Sequence, residues 1–410
     1  MRLPGFIKEI HGLNRNIRVF LITIFLANLS FGVFQADFNL YILSLGLTPD
    51  FLGIILSLTP FAQAITAIPI GFLAEKIGHK RSLILVNLVV GLAYLMRVIS
   101  ANRWIILGGS FLAGVMACGY FIIQLPFLSH YAGENKNLPF TFANLIMFSA
   151  TSFGALLGGF LPRWIAPLAL GTTPSFRLVL VGFSLLIIAG TVPLFLLARD
   201  KPSDTSHISL SPYLKGIDSS TIKFAAVELF IGFGIAFLLF FMNLFFVFHY
   251  RSNIESFGVM NLILIIPLTV ILLVGPALAR RFGNLRVVLA ARLVSVIMAV
   301  MIGLTTSAVA GGSAYILFRS FSSLSQTLWF AFAASITTRR SRMATSAWLE
   351  ITFQIGLGIA ALVGGRLIAG GAYFTIGLLS ALSLGISLIL TYFFFGRKDK
   401  LSKATDPAQN

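Results

Sequence analysis

Stretches of apolar residues long enough to cross a bilayer recur along this whole chain, and that recurrence constrains the fold more than any other feature. Inside a bilayer every backbone N–H and C=O has to be bonded within the protein, so a single apolar run of about 20 residues is a helix. Twelve such spans are predicted, at roughly 17–46, 51–75, 82–101, 104–132, 138–162, 175–198, 222–249, 254–280, 285–308, 313–337, 345–369 and 371–396. Composition agrees, since 57% of the 410 residues are hydrophobic and 40 are Phe. A soluble chain of that length carries more polar surface than this leaves. The fold class is therefore all-α polytopic membrane protein.

The net charge of +17 raises the question of nucleic acid, and position argues against it. Bases cluster in alternate loops, where lysine and arginine fix membrane orientation. One side receives Arg2, Lys8, Arg15 and Arg18, then Lys76, Lys80 and Arg81, then Lys136, then Arg199, Lys201, Lys215 and Lys223. The same side receives Arg280, Arg281 and Arg286, then Arg339, Arg340 and Arg342, then Arg397, Lys398, Lys400 and Lys403. The opposite side has Arg103, Arg163, Arg177, Arg251 and Arg366. This asymmetry predicts a multi-pass protein of the plasma (inner) membrane with both termini cytoplasmic, its basic loops touching anionic lipid headgroups. The first apolar run is long enough to span and is expected to be retained. Cys118 is the single cysteine, so no intrachain disulfide can form.

One long polar connection, "RDKPSDTSHISLSPYLKGIDSST" at 199–221, divides the spans six and six. The predicted organisation is an N-terminal six-helix bundle at 1–198, a cytoplasmic linker at 199–221 and a C-terminal six-helix bundle at 222–410. The halves are self-similar at a shift of about 204 residues. "FNLYIL" at 38–43 meets "MNLFFV" at 242–247, so Asn39 matches Asn243. Asp50 to Gly53 meets Glu255 to Gly258, and "GFLAEKIGHKR" from Gly71 meets "GPALARRFGNLR" from Gly275 with one insertion before the second glycine. "GALLGG" at 154–159 meets "AALVGG" at 360–365. Parallel repeats of this kind are one architecture of secondary transporters.

On these residues the chain resembles the major facilitator superfamily (MFS) of transporters over nearly its whole length. The family's signature between its second and third helices runs Gly-x-Leu-Ala-Asp-Arg-x-Gly-Arg-Lys/Arg. Gly71, Leu73, Ala74, Glu75, Lys76, Gly78, His79 and Lys80 stand in those places, with Glu75, Lys76 and His79 as departures. Residues 154–159 are similar to the Gly-Pro-x-x-Gly-Gly motif of drug/proton antiporters but lack its proline, and the fourth span lacks the arginine common in those exporters. The resemblance implies two pseudo-symmetric six-helix bundles, a central cavity lined by the first, fourth, seventh and tenth helices, and alternating access driven by protons.

The signature stretch reads as a gate. Gly71 allows two helix backbones to approach closely, and Gly78 suits a turn with positive φ. Glu75 sits at a helix end where a facing helix N-terminus or a base can hold it. Lys80 and Arg81 set topology, and Glu350 on the eleventh span is a second latch toward the basic loops.

Charged groups inside a membrane are costly and usually functional. The acids are Asp37, Glu228 and Glu350; the bases are Arg97, Arg292 and Arg319. On the first span Asn28, Gln35 and Asn39 share a stripe, with Asp37 nearly opposite, turned into its own bundle and expected to pair with Arg97 or another outer arginine. On the seventh span Glu228 shares the face of Asn243, which makes it the acid expected to look into the cavity and to carry the coupling proton, ahead of Asp37. Arg319, Ser323 and Gln326 form a stripe on the tenth span that suits an anionic or carboxylate substrate, and Gln124 is a candidate cavity residue on the fourth.

Rival classes have weaker sequence support. An intramembrane enzyme needs a nucleophile–base pair or a metal cluster, and the five histidines lie in or near loops with no His-Glu-x-x-His pattern. No Gly-x-x-x-x-Gly-Lys-Ser/Thr loop is present to bind ATP. A lipid scramblase or a non-transporting receptor on the same fold remains an alternative. The expectation is a monomeric secondary transporter without cofactor or metal. It moves a small molecule, with export of lipophilic or amphipathic compounds favoured over transport of polar or anionic metabolites.

Overall fold

The computed structural model describes residues 13–132, 137–168, 171–198, 217–337 and 341–404. Twelve long helices account for nearly all of these residues: α1 (Arg15–Ser44), α2 (Pro49–Ile77), α3 (His79–Ile99), α4 (Arg103–Tyr131), α5 (Asn137–Ile165), α6 (Thr172–Ala189), α7 (Ser219–Leu244), α8 (Ile254–Phe282), α9 (Asn284–Leu304), α10 (Ala308–Ile336), α11 (Arg342–Ala369) and α12 (Tyr373–Ala404). Eleven are long and apolar enough to cross a membrane. The exception is α10, where Arg319 and Gln326 fall among serines.

Helix boundaries follow local chemistry. Asn102 accepts a hydrogen bond from Trp104 N at 2.9 Å to start α4, and Asp218 accepts from Thr221 N at 2.7 Å to start α7. Gly78 joins α2 to α3 at φ 85°, and Gly283 joins α8 to α9 at φ 89°. A residue with a side chain is strained there, so both turns need glycine. Positive φ at Gly78 meets the expectation from sequence.

The described chain forms two compact units. One comprises 1–47, 61–208 and 257–262, and the other 48–60, 209–256 and 263–410. Apart from residues 217–221, the expected linker lies outside the described residues. In the first unit α1 packs on α5 and α6, and α3 packs on α4 and α6. In the second unit α7 packs on α11 and α12, and α9 packs on α10 and α12. The pairing is the same after a shift of six helices, which is the self-similarity of the sequence in three dimensions.

Small residues allow the closest of these crossings. A Cβ on Gly154 would collide with the Leu29 carbonyl of α1, and one on Gly32 would lie 2.7 Å from Ala155 N of α5. In the second unit a Cβ on Gly356 would lie 2.7 Å from Phe233 N of α7. Lipid offers no hydrophobic drive for helices to associate, so such contacts rely on close packing of backbones. Gly154 and Gly158 of the 154–159 stretch serve this purpose.

Candidate functional site

The second unit buries an acid and a base among α7, α9, α10 and α12. Glu228 of α7 is 0% exposed and Arg292 of α9 is 2% exposed. Glu228 Oε2 accepts a hydrogen bond from the indole Nε1 of Trp329, on α10, at 2.8 Å. The Arg292 guanidinium lies over the same indole ring, with Cζ 4.7 Å from its centroid. Trp329 is thus shared, bonded at its edge to the acid and covered on its face by the base. Phe224, Phe332 and Phe395 pack around it at centroid distances of 4.8, 6.0 and 5.6 Å. Arg292 donates from Nε to Ser325 Oγ at 3.1 Å and from Nη1 to Thr391 Oγ1 at 2.5 Å. Glu228 Oε1 and Arg292 Nη2 have no hydrogen-bond partner. Beside Arg292 is a cavity with room for one water-sized molecule, lined by Ser295, Ser322, Ser325 and Gln326 on its polar side and by Ile231, Ile235 and Leu384 on its apolar side.

The first unit has a neutral network at the corresponding place. Asn87 of α3 donates from Nδ2 to Ile187 O at 2.7 Å and to Thr191 Oγ1 at 2.8 Å. Its Oδ1 accepts from the Tyr120 hydroxyl of α4. Nearer the other end of the unit, Asp37 is 0% exposed and neither of its carboxyl oxygens is hydrogen-bonded. The expected ion pair between Asp37 and Arg97 does not form. Arg97 instead turns its guanidinium onto aromatic faces, 3.9 Å from the Phe38 ring centroid and 5.2 Å from that of Tyr94. A ring face attracts a cation by about 0.5–2 kcal/mol, and at Arg97 these rings take the place of an acid.

The remaining candidates are dispersed. Asn28 is half-buried and donates back to Ile24 O at 2.8 Å along its own helix. Gln35 is half-buried, whereas Asn39 and Asn243 are 4% and 2% exposed. Gln124 and Arg319 are half-buried, and so is Ser323, whose carbonyl accepts from Thr327 Oγ1 at 2.9 Å. Of the α10 stripe, Gln326 alone lines the cavity beside Arg292. Sequence placed Glu228 on a cavity face. The structure seats it fully buried against an indole, with the base supplied by α9. Trp329 was missed because an aromatic residue in an apolar helix carries no signal of its own.

In the signature stretch, Lys80 Nζ donates to Phe195 O at 2.7 Å and Leu197 O at 2.5 Å. It ties the start of α3 to the carbonyls that follow α6, a structural role beyond topology. Arg81 is exposed. Close backbone approach was expected at Gly71, but a Cβ there would meet only Ile122 Cγ2, at an ordinary 3.7 Å. The side chain of Glu75 lies outside the described residues. Glu350 is exposed, and its Oε1 accepts from Gln354 Nε2, one turn on, at 2.7 Å. Among the described residues no group of three His, Cys, Asp or Glu side chains could hold a metal ion.

Several solved structures share this architecture. The nucleoside transporter NupG matches with a TM-score of 0.76 at 13% identity, over 94% of this chain and 99% of that one. An inward-facing bacterial homolog of the human lysosomal transporter Spinster matches with a TM-score of 0.72 at 14% identity, over 92% and 95%. The E. coli fucose:proton symporter FucP matches with a TM-score of 0.58 at 17% identity, over 92% and 98%. At such identities the likeness is one of fold. No curated protein sequence matches the chain. The sequence model of the Major Facilitator Superfamily matches residues 20–325. With twelve helices, a repeated packing pattern and that match over most of its length, this multi-pass membrane protein belongs to the Major Facilitator Superfamily.

Proposed function

We propose that this chain is a proton-coupled secondary transporter that exports lipophilic or amphipathic small molecules by alternating access, with both termini on the cytoplasmic side of the plasma membrane. The observation that carries the reading is Glu228: a fully buried carboxyl, one oxygen held by Trp329 and the other unbonded, with a base on a neighbouring helix. A group that exchanges a proton during a transport cycle needs such a site, because its charge is tolerated only while a partner or water is at hand. A fucose:proton symporter among the structural neighbours supports protons as the driving ion. The apolar character of α7, with its "FLLFFMN" stretch at 237–243, supports an amphipathic cargo.

A second reading, transport of a polar or anionic metabolite, is supported by Arg319 on α10 and by a nucleoside transporter among the neighbours. The two are separated by thermal-shift screening of the purified protein against nucleosides, monosaccharides, small carboxylates and lipophilic cations. Any compound that raises the melting temperature is then tested in proteoliposomes with and without a pH gradient. Stabilisation by lipophilic cations and gradient-driven movement of them uphold export. Stabilisation by nucleosides or carboxylates alone transfers the conclusion to the second reading. Movement unaffected by the gradient removes proton coupling.

A further inference from the structure

The two units contain the same buried tether, built once with a neutral residue and once with a charged one. Asn87 and Arg292 each stand nine residues after the turn glycine that begins their helix, Gly78 or Gly283. Each donates to a backbone carbonyl and, four residues further on, to a threonine hydroxyl: Ile187 O and Thr191 for Asn87, Ser387 O and Thr391 for Arg292. Each also bonds a hydroxyl on the next helix, Tyr120 on α4 or Ser325 on α10. Those two hydroxyls lie 18 residues after their own helix caps, Asn102 and Ser307. The networks are equivalent position by position.

A neutral amide therefore suffices to pin the third helix of a unit to its fourth and sixth. The positive charge of Arg292 is surplus to that task, and a charge at membrane depth is too costly to be kept without use. What the guanidinium has and Asn87 lacks is an unbonded Nη2 and a seat on the ring of Trp329, whose N–H holds Glu228. The other polar or charged groups within electrostatic reach of Glu228 are Gln326 from α10 and Glu350 from α11. Arg292 is the one cation among them.

We infer that Arg292 is a positioning residue whose charge sets how tightly Glu228 holds its proton, with Trp329 as the shared element between them. In the step assigned to it, the O–H bond of the Glu228 carboxyl breaks, the proton passes to a water and the electron pair stays on the carboxylate. That carboxylate is then balanced by the indole N–H and the guanidinium. The small cavity beside Arg292 has room for one water, with Ser295, Ser322, Ser325 and Gln326 as polar neighbours. This inference rests on the reading of Glu228 as the coupling acid.

The test needs no substrate. In nanodiscs, a variant with Trp104, Trp164 and Trp348 replaced by Phe leaves Trp329 as the single fluorophore, and its emission is titrated with pH. We expect one transition that is absent from Glu228→Gln. In Arg292→Gln, which keeps a neutral amide, its midpoint moves to higher pH by about one unit, a tenfold gain in proton affinity. In Arg292→Lys, which keeps the charge and alters the shape, it stays within about 0.3 units of the parent. Melting temperature identifies any variant that has not folded, and the lysine and glutamine variants serve as each other's control. A midpoint unmoved in a folded Arg292→Gln overturns the inference and makes Arg292 a tether like Asn87, while leaving Glu228 in its role. A transition that survives Glu228→Gln, or no transition at all, overturns the assignment of the proton to Glu228 and the inference with it.

Discussion

Replacing Trp329 by Phe separates what its ring does from what its N–H does. The phenyl ring still packs against Phe224, Phe332 and Phe395, so no large cavity opens. The bond from Nε1 to Glu228 Oε2, 2.8 Å long and buried, is lost. Glu228 then has neither oxygen bonded, since Oε1 is unpartnered already. Leaving a buried acceptor bare costs about 1–3 kcal/mol. The cation–π contact with Arg292 weakens as well, because indole is the better ring, by about 0.5 kcal/mol. The expected loss is therefore about 1.5–3.5 kcal/mol, against about 3–5 kcal/mol for Trp329→Ala, which also opens a cavity. The assay is reversible unfolding in mixed micelles, arranged as a double-mutant cycle with Glu228→Leu. A coupling of about 1–3 kcal/mol between the two sites is expected from the buried bond. Additivity within about 0.5 kcal/mol would refute the argument that this hydrogen bond organises the cluster.

Burial works to raise the Asp218 carboxyl, but hydrogen bonds from the Thr221 N–H and hydroxyl and from Ser341 outweigh it and hold the group below its ordinary value of 3.8. A depressed carboxyl stabilises the fold above its unfolded value, and that contribution is lost as pH falls through the folded one. Asp218→Ala is expected to cost about 1 kcal/mol at pH 7, with the difference from the parent closing in unfolding measurements below the ordinary value. Gly154→Leu places a side chain on the Leu29 carbonyl and is expected to prevent folding, read as lost monodisperse protein on size exclusion. Gly71→Leu, which meets only Ile122 at ordinary contact distance, is expected to keep its melting temperature and lose transport; full transport in that variant would remove the gate at Gly71. Reporter fusions at Gly46 and at Gly133 are expected to report outside and inside respectively, and matching signals would overturn the orientation.

The sequence by itself determined the class, the number of long helices and the repeat. A bilayer permits a lone apolar segment only one way to bond its backbone, so hydropathy alone locates the spans. The eighth, expected at 254–280, runs Ile254–Phe282, and the eleventh, expected at 345–369, runs Arg342–Ala369. The sixth shows the limit of that argument: its apolar run was followed to 198, but the α-helix stops at Ala189 and a 3₁₀ turn at Pro193–Leu196 completes the span. Hydropathy records what lipid tolerates and not which hydrogen bonds are made. Tertiary structure alone decided the partners. In α7, apolar on nearly every face, the wheel had one polar anchor, Asn243, and placed Glu228 relative to it. Whether that face met open space or an indole depended on α9 and α10, about 60–100 residues further along the chain. Asp37 and Arg97 were both recognised as buried charges, yet the rings of Phe38 and Tyr94 took the guanidinium. A buried charge in an apolar helix signals that a partner is needed, and long-range packing, which helical periodicity does not encode, determines which one it finds.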